Sequence, residues 1–286
     1  MIRIGMIGSD GGVQSGHAIG LCRILNNGNH PDVTITGIFG DNEEETRAIA
    51  EEQNIPFIAK TPEELVGKVD AVMIMPRDGG KHLAYAKPFL EAGIPMFVDK
   101  PFTCSVHDAE EFVALAQKSG SLLCGGSYVK YASVRAEIRE QVDTTEEMIM
   151  SGYVSFPIQL QSPHGGMHFY SHHIIGCMLK AFGHDVEAVS ASLVNGKLVA
   201  IAHYKKFPVI MNYASSYSGL HAGVYFDISP AIMKPLDYEG YDEKQCDLFL
   251  DMVRTGKGDE TEELLLSVKI SCAVEEAMKT GKTIRL

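Results

Sequence analysis

The chain has 286 residues, of which 45% are hydrophobic and 22% are charged, and its 25 basic and 37 acidic side chains give a net charge of −12. This composition is typical of a globular protein of two domains, and the acidic balance without a basic cluster argues against a nucleic-acid partner. No apolar run is long enough to cross a membrane, so we expect no membrane partner.

Cysteine usage and the first residues predict a compartment. The six cysteines are scattered along the chain without a CxxC pair, which is the pattern of reduced thiols. Residues 1–5 enter a predicted strand at once and leave no room for a signal peptide. We therefore expect a cytoplasmic protein.

Strands and helices alternate through the first 124 residues. The predicted strands are 3–7, 33–39, 70–75, 95–98 and 122–124. The predicted helices are 15–25, 41–53, a short one that starts at 61, 81–92 and 109–118. This alternation predicts an α/β domain with a parallel sheet and right-handed crossovers.

The pattern changes after residue 124, and we place a domain boundary there, with domains over 1–124 and 125–286. A helix is predicted over 128–141, and helices over 242–254 and 261–279 close the chain. Period-two segments, typical of strands, cover 153–160, 186–194, 198–204, 209–216 and 224–228. The turn Asn195-Gly196 predicts a hairpin, so the second domain is expected to contain a largely antiparallel open sheet.

A glycine-rich turn, Gly8-Ser9-Asp10-Gly11-Gly12, follows the first predicted strand. Backbone N–H groups at the start of a helix bind phosphate, and glycines let the backbone approach it closely. The turn is not a regular GxGxxG, because Asp10 and Val13 stand at the second and third glycine positions. One alternative is a turn that is one residue longer, in which Gly11 or Gly12 makes the close approach. Another is a glycine loop that binds nothing.

Residues at the ends of the second and third strands bear on the cofactor. Asp41 can accept hydrogen bonds from a ribose 2′-OH and repel a 2′-phosphate, which favours NAD over NADP, although Gly40 occupies the usual place of the acid. Pro76 and Arg77 are expected beside the nicotinamide or its ribose. Arg77 either selects an anionic substrate, such as a sugar acid, or faces solvent.

The tripeptide Asp99-Lys100-Pro101 ends the fourth predicted strand. A lysine at the carboxyl end of a buried parallel strand lies where open α/β sheets bind their ligands. The alternative is a solvated lysine at an ordinary strand exit. A cis peptide bond before Pro101 would turn Lys100 inward.

In their order and spacing, these features resemble the Gfo/Idh/MocA family of oxidoreductases, and the resemblance covers nearly the whole chain. The landmarks are residues 4–12, the run 70–76 leading to His82, Asp99-Lys100-Pro101 in place of the family's Glu-Lys-Pro, Gly165-Gly166 followed by His173, and the runs 254–257 and 281–286.

The resemblance implies a Rossmann domain over 1–124 that binds NAD or NADP, and a substrate-binding and oligomerisation domain over 125–286 that forms a homodimer or homotetramer. It implies reversible hydride transfer between nicotinamide and a hydroxyl-bearing carbon of a sugar, cyclitol or sugar acid. Lys100 would polarise the oxygen and His173 would act as general acid–base. The expected cofactor-binding residues are Gly8, Ser9, Asp10, Gly11, Gly12, Asp41, Pro76, Asp99 and Lys100.

One departure from the family leaves the reaction open. The family commonly places an aspartate four residues before the histidine, where this chain has Phe169, and the hydroxyl of Tyr170 is a substitute polar contact. The alternatives are a redox-neutral lyase or isomerase that keeps its NAD bound, and a non-catalytic sensor that binds a dinucleotide.

Further polar residues are expected at the substrate. His164, His168 and His172 recur every four residues, which admits a zinc site, but the ligand count favours a polar helix face in the substrate cleft and no metal. The residues predicted to touch substrate are Tyr128, Lys130, His168, Tyr170 and His172. Tyr238 is a further residue that could reach the cleft.

Overall fold

The computed structural model of the protein describes residues 1–237 and 240–286. Tyr238 lies outside the described residues. The described chain forms two compact units, which are taken in turn. The first consists of Met1–Gly126 and Asp242–Leu265, and the second of Ser127–Tyr241 and Leu266–Leu286.

The first unit is built on a parallel sheet of five strands in the order β2-β1-β3-β4-β5. The strands are β1 (Ile2–Ile7), β2 (Val33–Phe39), β3 (Ala71–Ile74), β4 (Met96–Asp99) and β5 (Leu123–Gly126). The helices that join them are α1 (His17–Leu25), α2 (Glu43–Gln53), α3 (His82–Glu91) and α4 (Val106–Ser119). Strand order reverses between β1 and β3, so the carboxyl ends of these two strands form the switch point where such sheets bind ligands.

Burial explains why these short segments form strands. Every residue of β3 and β4 is buried, as expected for central strands of a parallel sheet that is covered on both faces. A single parallel bridge between Ile38 and Ile58 extends the sheet beyond β2. The predicted parallel α/β fold is confirmed. Helix α1 begins two residues later than predicted, after Gly16, whose φ of 124° is not helical.

The second unit contains a seven-stranded sheet in the order β11-β10-β6-β9-β8-β7-β12. Its strands are β6 (Ile149–Ser155), β7 (Val186–Val194), β8 (Lys197–Tyr204), β9 (Pro208–Asn212), β10 (His221–Phe226), β11 (Ile232–Pro235) and β12 (Ile284–Arg285), and its helices are α5 (Ser133–Thr144) and α6 (His168–Phe182). All neighbouring strands are antiparallel except β6 and β9, which confirms the predicted mixed sheet. Ile138 of α5, Ile175 of α6 and Val209 of β9 belong to one core.

Several predicted boundaries in this unit are wrong for local reasons. The helix predicted from 128 begins at Ser133, because Ser127 accepts a hydrogen bond from the N–H of Val129 and closes a 3-10 turn first. The strand predicted over 153–160 is β6, which ends at Ser155. Strands β11 and β12 carry no alternating pattern long enough to be recognised. The hairpin at Asn195 and Gly196 is present, with φ of 50° and 73°.

Two late helices, α7 (Tyr241–Thr255) and α8 (Thr261–Thr280), complete the described chain. The predicted boundary assigned both to the second domain, whereas 242–265 belongs to the first unit. Phe249 of α7 is fully buried in the core of that unit, where its ring lies 6.1 Å from the ring of Phe97. The segment between the helices also pairs with β5, because the N–H of Leu123 donates to Asp259 and the N–H of Glu260 donates to the carbonyl of Leu123.

This covering of β5 explains the difference from the predicted division. An edge strand exposes backbone N–H and C=O groups that need partners, and 259–260 supplies them from a distant part of the sequence. The apolar face of α7 indicates that the helix is partly buried, but it does not indicate against which part of the chain the helix packs. Among the described residues, no helix is long and apolar enough to cross a membrane.

The position of α7 gives a stability prediction. Phe249→Ala should lower the free energy of unfolding by about 3 to 5 kcal/mol, because it opens a cavity in the core of the first unit. Leu248→Ala is the matched control on the same helix, since Leu248 is 41% exposed. Urea unfolding followed by circular dichroism measures both. Equal effects of the two substitutions would contradict the placement of α7.

Candidate functional site

The predicted glycine turn meets the end of β3. The N–H of Gly8 donates to the carbonyl of Phe39 at 2.7 Å, and Gly8 has a φ of 114°. A Cβ at Gly8 would lie 2.7 Å from the backbone nitrogen of Pro76, so only glycine allows this approach. The structure therefore brings Gly8 and Pro76 together at the switch point.

Arg77 closes over the same turn. Its backbone N–H donates to Asp10 Oδ2 at 2.7 Å, and its Nη2 donates to Ser15 Oγ at 3.3 Å. A Cβ at Gly11 would lie 2.8 Å from the guanidinium and 2.1 Å from the carbonyl oxygen of Ser15. The hydrogen bond to Asp10 fixes the turn to the segment that follows β3. Arg77 packs on the glycine turn. The two alternatives that the sequence predicts for this residue are contact with an anionic substrate and exposure to solvent.

The turn presents a backbone donor to an anion. The N–H of Gly11 donates to Glu45 Oε2 of α2 at 3.2 Å, so this donor is hydrogen-bonded to a carboxylate in the structure. The same N–H in a glycine turn before a helix suits a phosphate oxygen. The residues present therefore fit a dinucleotide, and in this structure Glu45 accepts the hydrogen bond of that donor.

The end of β2 holds two polar contacts. Ser9 and Thr46 share a buried hydrogen bond of 2.8 Å, and a Cβ at Gly40 would lie 2.1 Å from Ser9 Oγ, so residue 40 has no room for a side chain. Asp41 is engaged by two residues of the segment that follows β3. Its Oδ2 lies 2.6 Å from Lys81 Nζ, and its Oδ1 accepts from the hydroxyl of Tyr85 at 2.5 Å. Burial opposes the charge of Asp41, but these two contacts outweigh it and lower its pKa.

Asp99 and Lys100 lie at the carboxyl end of β4, where they are 3% and 5% exposed. Both oxygens of Asp99 face Nδ1 of His17, at 3.1 and 3.0 Å. Burial opposes the charge of Asp99, but the attractions of His17 and Lys100 outweigh it and lower its pKa to about 2. Burial lowers the pKa of Lys100, Asp99 acts in the opposite direction and Arg77 adds to the lowering.

The buried side chain of His82 contacts the segment that follows Lys100. The Lys100–Pro101 peptide bond is cis, as predicted. His82 lies 2.7 Å through Nε2 from the carbonyl of Pro76 and 3.1 Å through Nδ1 from that of Phe102. Burial lowers the pKa of His82. This side chain links the end of β3 to the segment that carries Lys100.

His173 lies on α6 in the second unit and is 4% exposed. Its Nδ1 lies 2.7 Å from Ser127 Oγ, and its ring lies 4.7 Å from that of Phe156. Gly176, one turn later, lies against the same turn, since a Cβ there would be in ordinary contact with Lys130 Cβ at 3.4 Å and with Ser127 Cβ at 3.7 Å.

Other predicted residues of this unit surround His173. The rings of Tyr128 and Tyr170 lie 5.7 and 5.8 Å from its imidazole. The Tyr170 hydroxyl accepts from that of Tyr217 at 2.8 Å. Lys130 is buried, with its Nζ 5.2 Å from the ring centre of Tyr131.

Phe169, at the position of the family's aspartate, packs its ring 5.1 Å from Tyr170 and 5.2 Å from His164. An aromatic ring therefore stands where the family's acid is expected.

His168 and His172 contact serine hydroxyls of α8. His168 Nδ1 lies 2.8 Å from Ser271 Oγ, and His172 Nδ1 lies 3.3 Å from Ser267 Oγ, both on α8. Glu275 Oε2 lies 3.7 Å from His168 Nε2. Through these contacts, both histidines take part in the packing of α6 on α8. Within the described chain, no group of three or more His, Cys, Asp or Glu side chains is arranged to hold a metal ion.

Sequence reasoning missed four residues of these sites. They are His17, Glu45, Ser127 and Tyr217, each of which meets its partner only through the tertiary fold. His17 begins α1 and Glu45 lies in the first turn of α2. Both helices begin close to the glycine turn, and this proximity could have pointed to the two residues. No local signal pointed to Ser127 or Tyr217. An open groove of about 1660 Å³ in the second unit contains none of the predicted site residues.

Comparison with known proteins identifies the first unit. Residues 2–127 match the family described as "Oxidoreductase family, NAD-binding Rossmann fold", the Gfo/Idh/MocA family. A Salmonella typhimurium protein provisionally described as an oxidoreductase, YceM, is 27% identical over 117 residues, which cover 41% of this chain and 38% of that protein. The chain therefore aligns with well under half of that relative's length.

Solved structures extend the likeness to the whole fold. GenD2 from gentamicin A biosynthesis, solved in complex with NAD, has a TM-score of 0.81 at 14% identity, with 100% of this chain and 96% of that chain covered. The aldose-aldose oxidoreductase of Caulobacter crescentus, complexed with glycerol, has a TM-score of 0.75 at 14% identity, with 100% and 99% covered. At these identities the likeness establishes the fold.

The class is therefore a two-unit α/β protein with an NAD-binding Rossmann fold. Within that class, residues 2–127 match the Gfo/Idh/MocA oxidoreductase family, in agreement with the predicted resemblance and the predicted NAD(P) cofactor.

Glu45 gives a binding prediction. Glu45→Gln should lower the dissociation constant for NAD roughly threefold, because it removes a negative charge that competes for the Gly11 N–H. Glu44→Gln is the control, since Glu44 is an exposed acid of the same helical turn. Isothermal titration calorimetry measures both. Weaker binding of NAD by Glu45→Gln would show that Glu45 holds the cofactor instead of competing with it.

Proposed function

We propose that the protein is an NAD(P)-dependent oxidoreductase that transfers hydride between nicotinamide and a hydroxyl-bearing carbon of a sugar, cyclitol or sugar acid. The observation that carries the proposal is the buried pair Asp99 and Lys100 at the carboxyl end of β4, in a unit of the NAD-binding family. When bound, the dinucleotide supplies the hydride acceptor or donor. The chain's own residues supply orientation and proton transfer.

In this proposal Lys100 orients the reacting oxygen of the substrate. An ammonium that donates hydrogen bonds to a carbonyl or alkoxide oxygen stabilises the negative charge that develops there. Burial makes the interaction stronger, because the surrounding medium screens it less. Burial lowers the pKa of Lys100, and the attraction of Asp99 opposes this lowering.

His173 exchanges the hydroxyl proton in this proposal. Ser127 Oγ accepts from the N–H of Val129 and lies 2.7 Å from His173 Nδ1. We assign the tautomer in which Nδ1–H donates to Ser127, because it leaves Nε2 as the basic nitrogen. The aromatic rings around the imidazole limit its rotation.

The second candidate function is a sensor that binds a dinucleotide without turnover. Phe169 favours it, because a phenyl ring cannot hold a substrate hydroxyl or accept its proton as a carboxylate does. A redox-neutral lyase or isomerase is the third. It would keep NAD bound and would show product formation without net change of the cofactor.

The proposal also includes a homo-oligomer of two or four subunits in the cytoplasm. One face of the second unit's sheet carries Ile201, Ile210 and Tyr153 side by side on neighbouring strands, and all three are partly exposed. A patch of this kind is typical of a subunit interface. The six free cysteines agree with a reducing compartment.

The central experiment measures turnover. The protein is mixed with NAD or NADP and a panel of sugars, cyclitols and sugar acids, and the absorbance of the reduced cofactor is followed. Lys100→Ala and His173→Ala should each lower kcat roughly 10³-fold, by the size of electrostatic and acid–base terms.

Lys118→Ala and His107→Ala, at exposed positions of α4, are the matched controls. Unchanged turnover in Lys100→Ala would refute the mechanism. Tight cofactor binding without turnover on any substrate would favour the sensor, and product formation without net cofactor change would favour the redox-neutral enzyme.

Cofactor preference is a separate prediction. We propose that Asp41 favours NAD and that Lys81 moderates this preference by pairing with it. Asp41→Ala should lower the ratio of the dissociation constants for NADP and NAD severalfold, because Lys81 is then left to attract the 2′-phosphate. Lys81→Ala should raise the ratio. Lys87→Ala, an exposed lysine of α3, is the control, and shifts of the same sign in both variants would contradict the assignment.

A further inference from the structure

We propose that His17 is a positioning residue for Lys100: the two bases share the buried carboxylate of Asp99, so that protonation of one disfavours protonation of the other. His17 has no part in the proposed chemistry described above. The inference is structural and stands on contacts within the first unit, whereas its consequence for catalysis rests on the proposed function.

The geometry of the contact carries the proposal. Asp99 is the last residue of β4 and His17 the first of α1. Nδ1 of His17 lies 3.1 Å from one carboxylate oxygen and 3.0 Å from the other. The Asp99 side chain is 4% exposed, whereas that of His17 is 32% exposed. A buried carboxylate that is next to Lys100 in the chain is thus tied to an imidazole that solvent protons can reach.

The charges around His17 and Lys100 support the proposal that both bases interact with the carboxylate of Asp99. The charges that act on His17 are those of Asp99 of β4, Lys100 and Asp242 of α7. Attraction to Asp99 raises the pKa of His17, burial and Lys100 oppose this, and Asp242 adds a smaller increase. Lys100 in turn is affected by Asp99 and by Arg77. Burial raises the pKa of Asp242, which makes it a weaker partner than Asp99.

The position of His17 on its helix argues against a purely structural ion pair. A cation at a helix N-terminus meets the positive end of the helix dipole, which disfavours it. The charge of His17 therefore depends on Asp99. When two cations depend on one carboxylate, each titration is coupled to the other, and the coupling is reciprocal.

The first test needs no enzymatic activity. The imidazole of His17 is titrated by NMR in labelled protein and assigned by the signal that His17→Gln removes. Lys100→Met should raise the pKa of His17, because it removes a neighbouring positive charge while it keeps the bulk of the side chain. Asp99→Asn should lower it.

Lys118→Met, at an exposed site, is the control and should leave the titration unchanged. If Asp99→Asn does not fold, Lys100→Met decides alone. A His17 titration that Lys100→Met leaves unchanged would overturn the proposal.

The second test uses turnover. In His17→Gln, Lys100 has Asp99 to itself, so the alkaline limb of the pH profile of kcat should move to higher pH. In Asp99→Asn it should move to lower pH. His107→Gln, whose side chain is 85% exposed, is the control. A structural role would lower activity in both variants without opposite shifts, and that result would overturn the proposal. Absence of turnover in every variant would count against the proposed function and leave the NMR result standing.

Discussion

The first unit depends on the burial of one carboxylate, that of Asp99. A charge removed from water is costly unless it is paired, and here the imidazole of His17 contacts both oxygens while the charge of Lys100 adds an attraction. This requirement ties the start of α1 to the end of β4. Loss of either cation would leave the carboxylate without part of its compensation, so the two helix and strand ends are linked electrostatically.

The glycine turn depends on space more than on charge. Gly8 and Gly11 lie where a Cβ would collide with Pro76 and with Ser15, so the turn folds tightly against the end of β3. Asp10 and Arg77 then lock that contact. The family places its cofactor at such a turn, and this chain adds a guanidinium over it and a carboxylate, that of Glu45, on one of its N–H groups.

In the second unit, the close approach of α6 at Gly176 determines the environment of His173. It sets Ser127 against Nδ1 and surrounds the ring with aromatic side chains. Phe169 continues that aromatic surface where the family has an acid. The hydroxyl of Ser127 is the polar group that contacts His173 Nδ1 in this arrangement.

The amino-acid sequence by itself determined the parallel sheet and the hairpin at Asn195, because each follows from local periodicity or turn chemistry. Its motif spacing also gave the family likeness of residues 2–127, and Pro101 allowed the cis bond that the structure shows. Only the tertiary structure decided that α7 joins the first unit, that His168 and His172 pack on α8, and that His17 meets Asp99. The contacts of His17, His168 and His172 join residues that are 82 to 103 positions apart in the sequence. Such long-range pairing depends on which surfaces pack together in the folded chain, and no local sequence pattern contains that information.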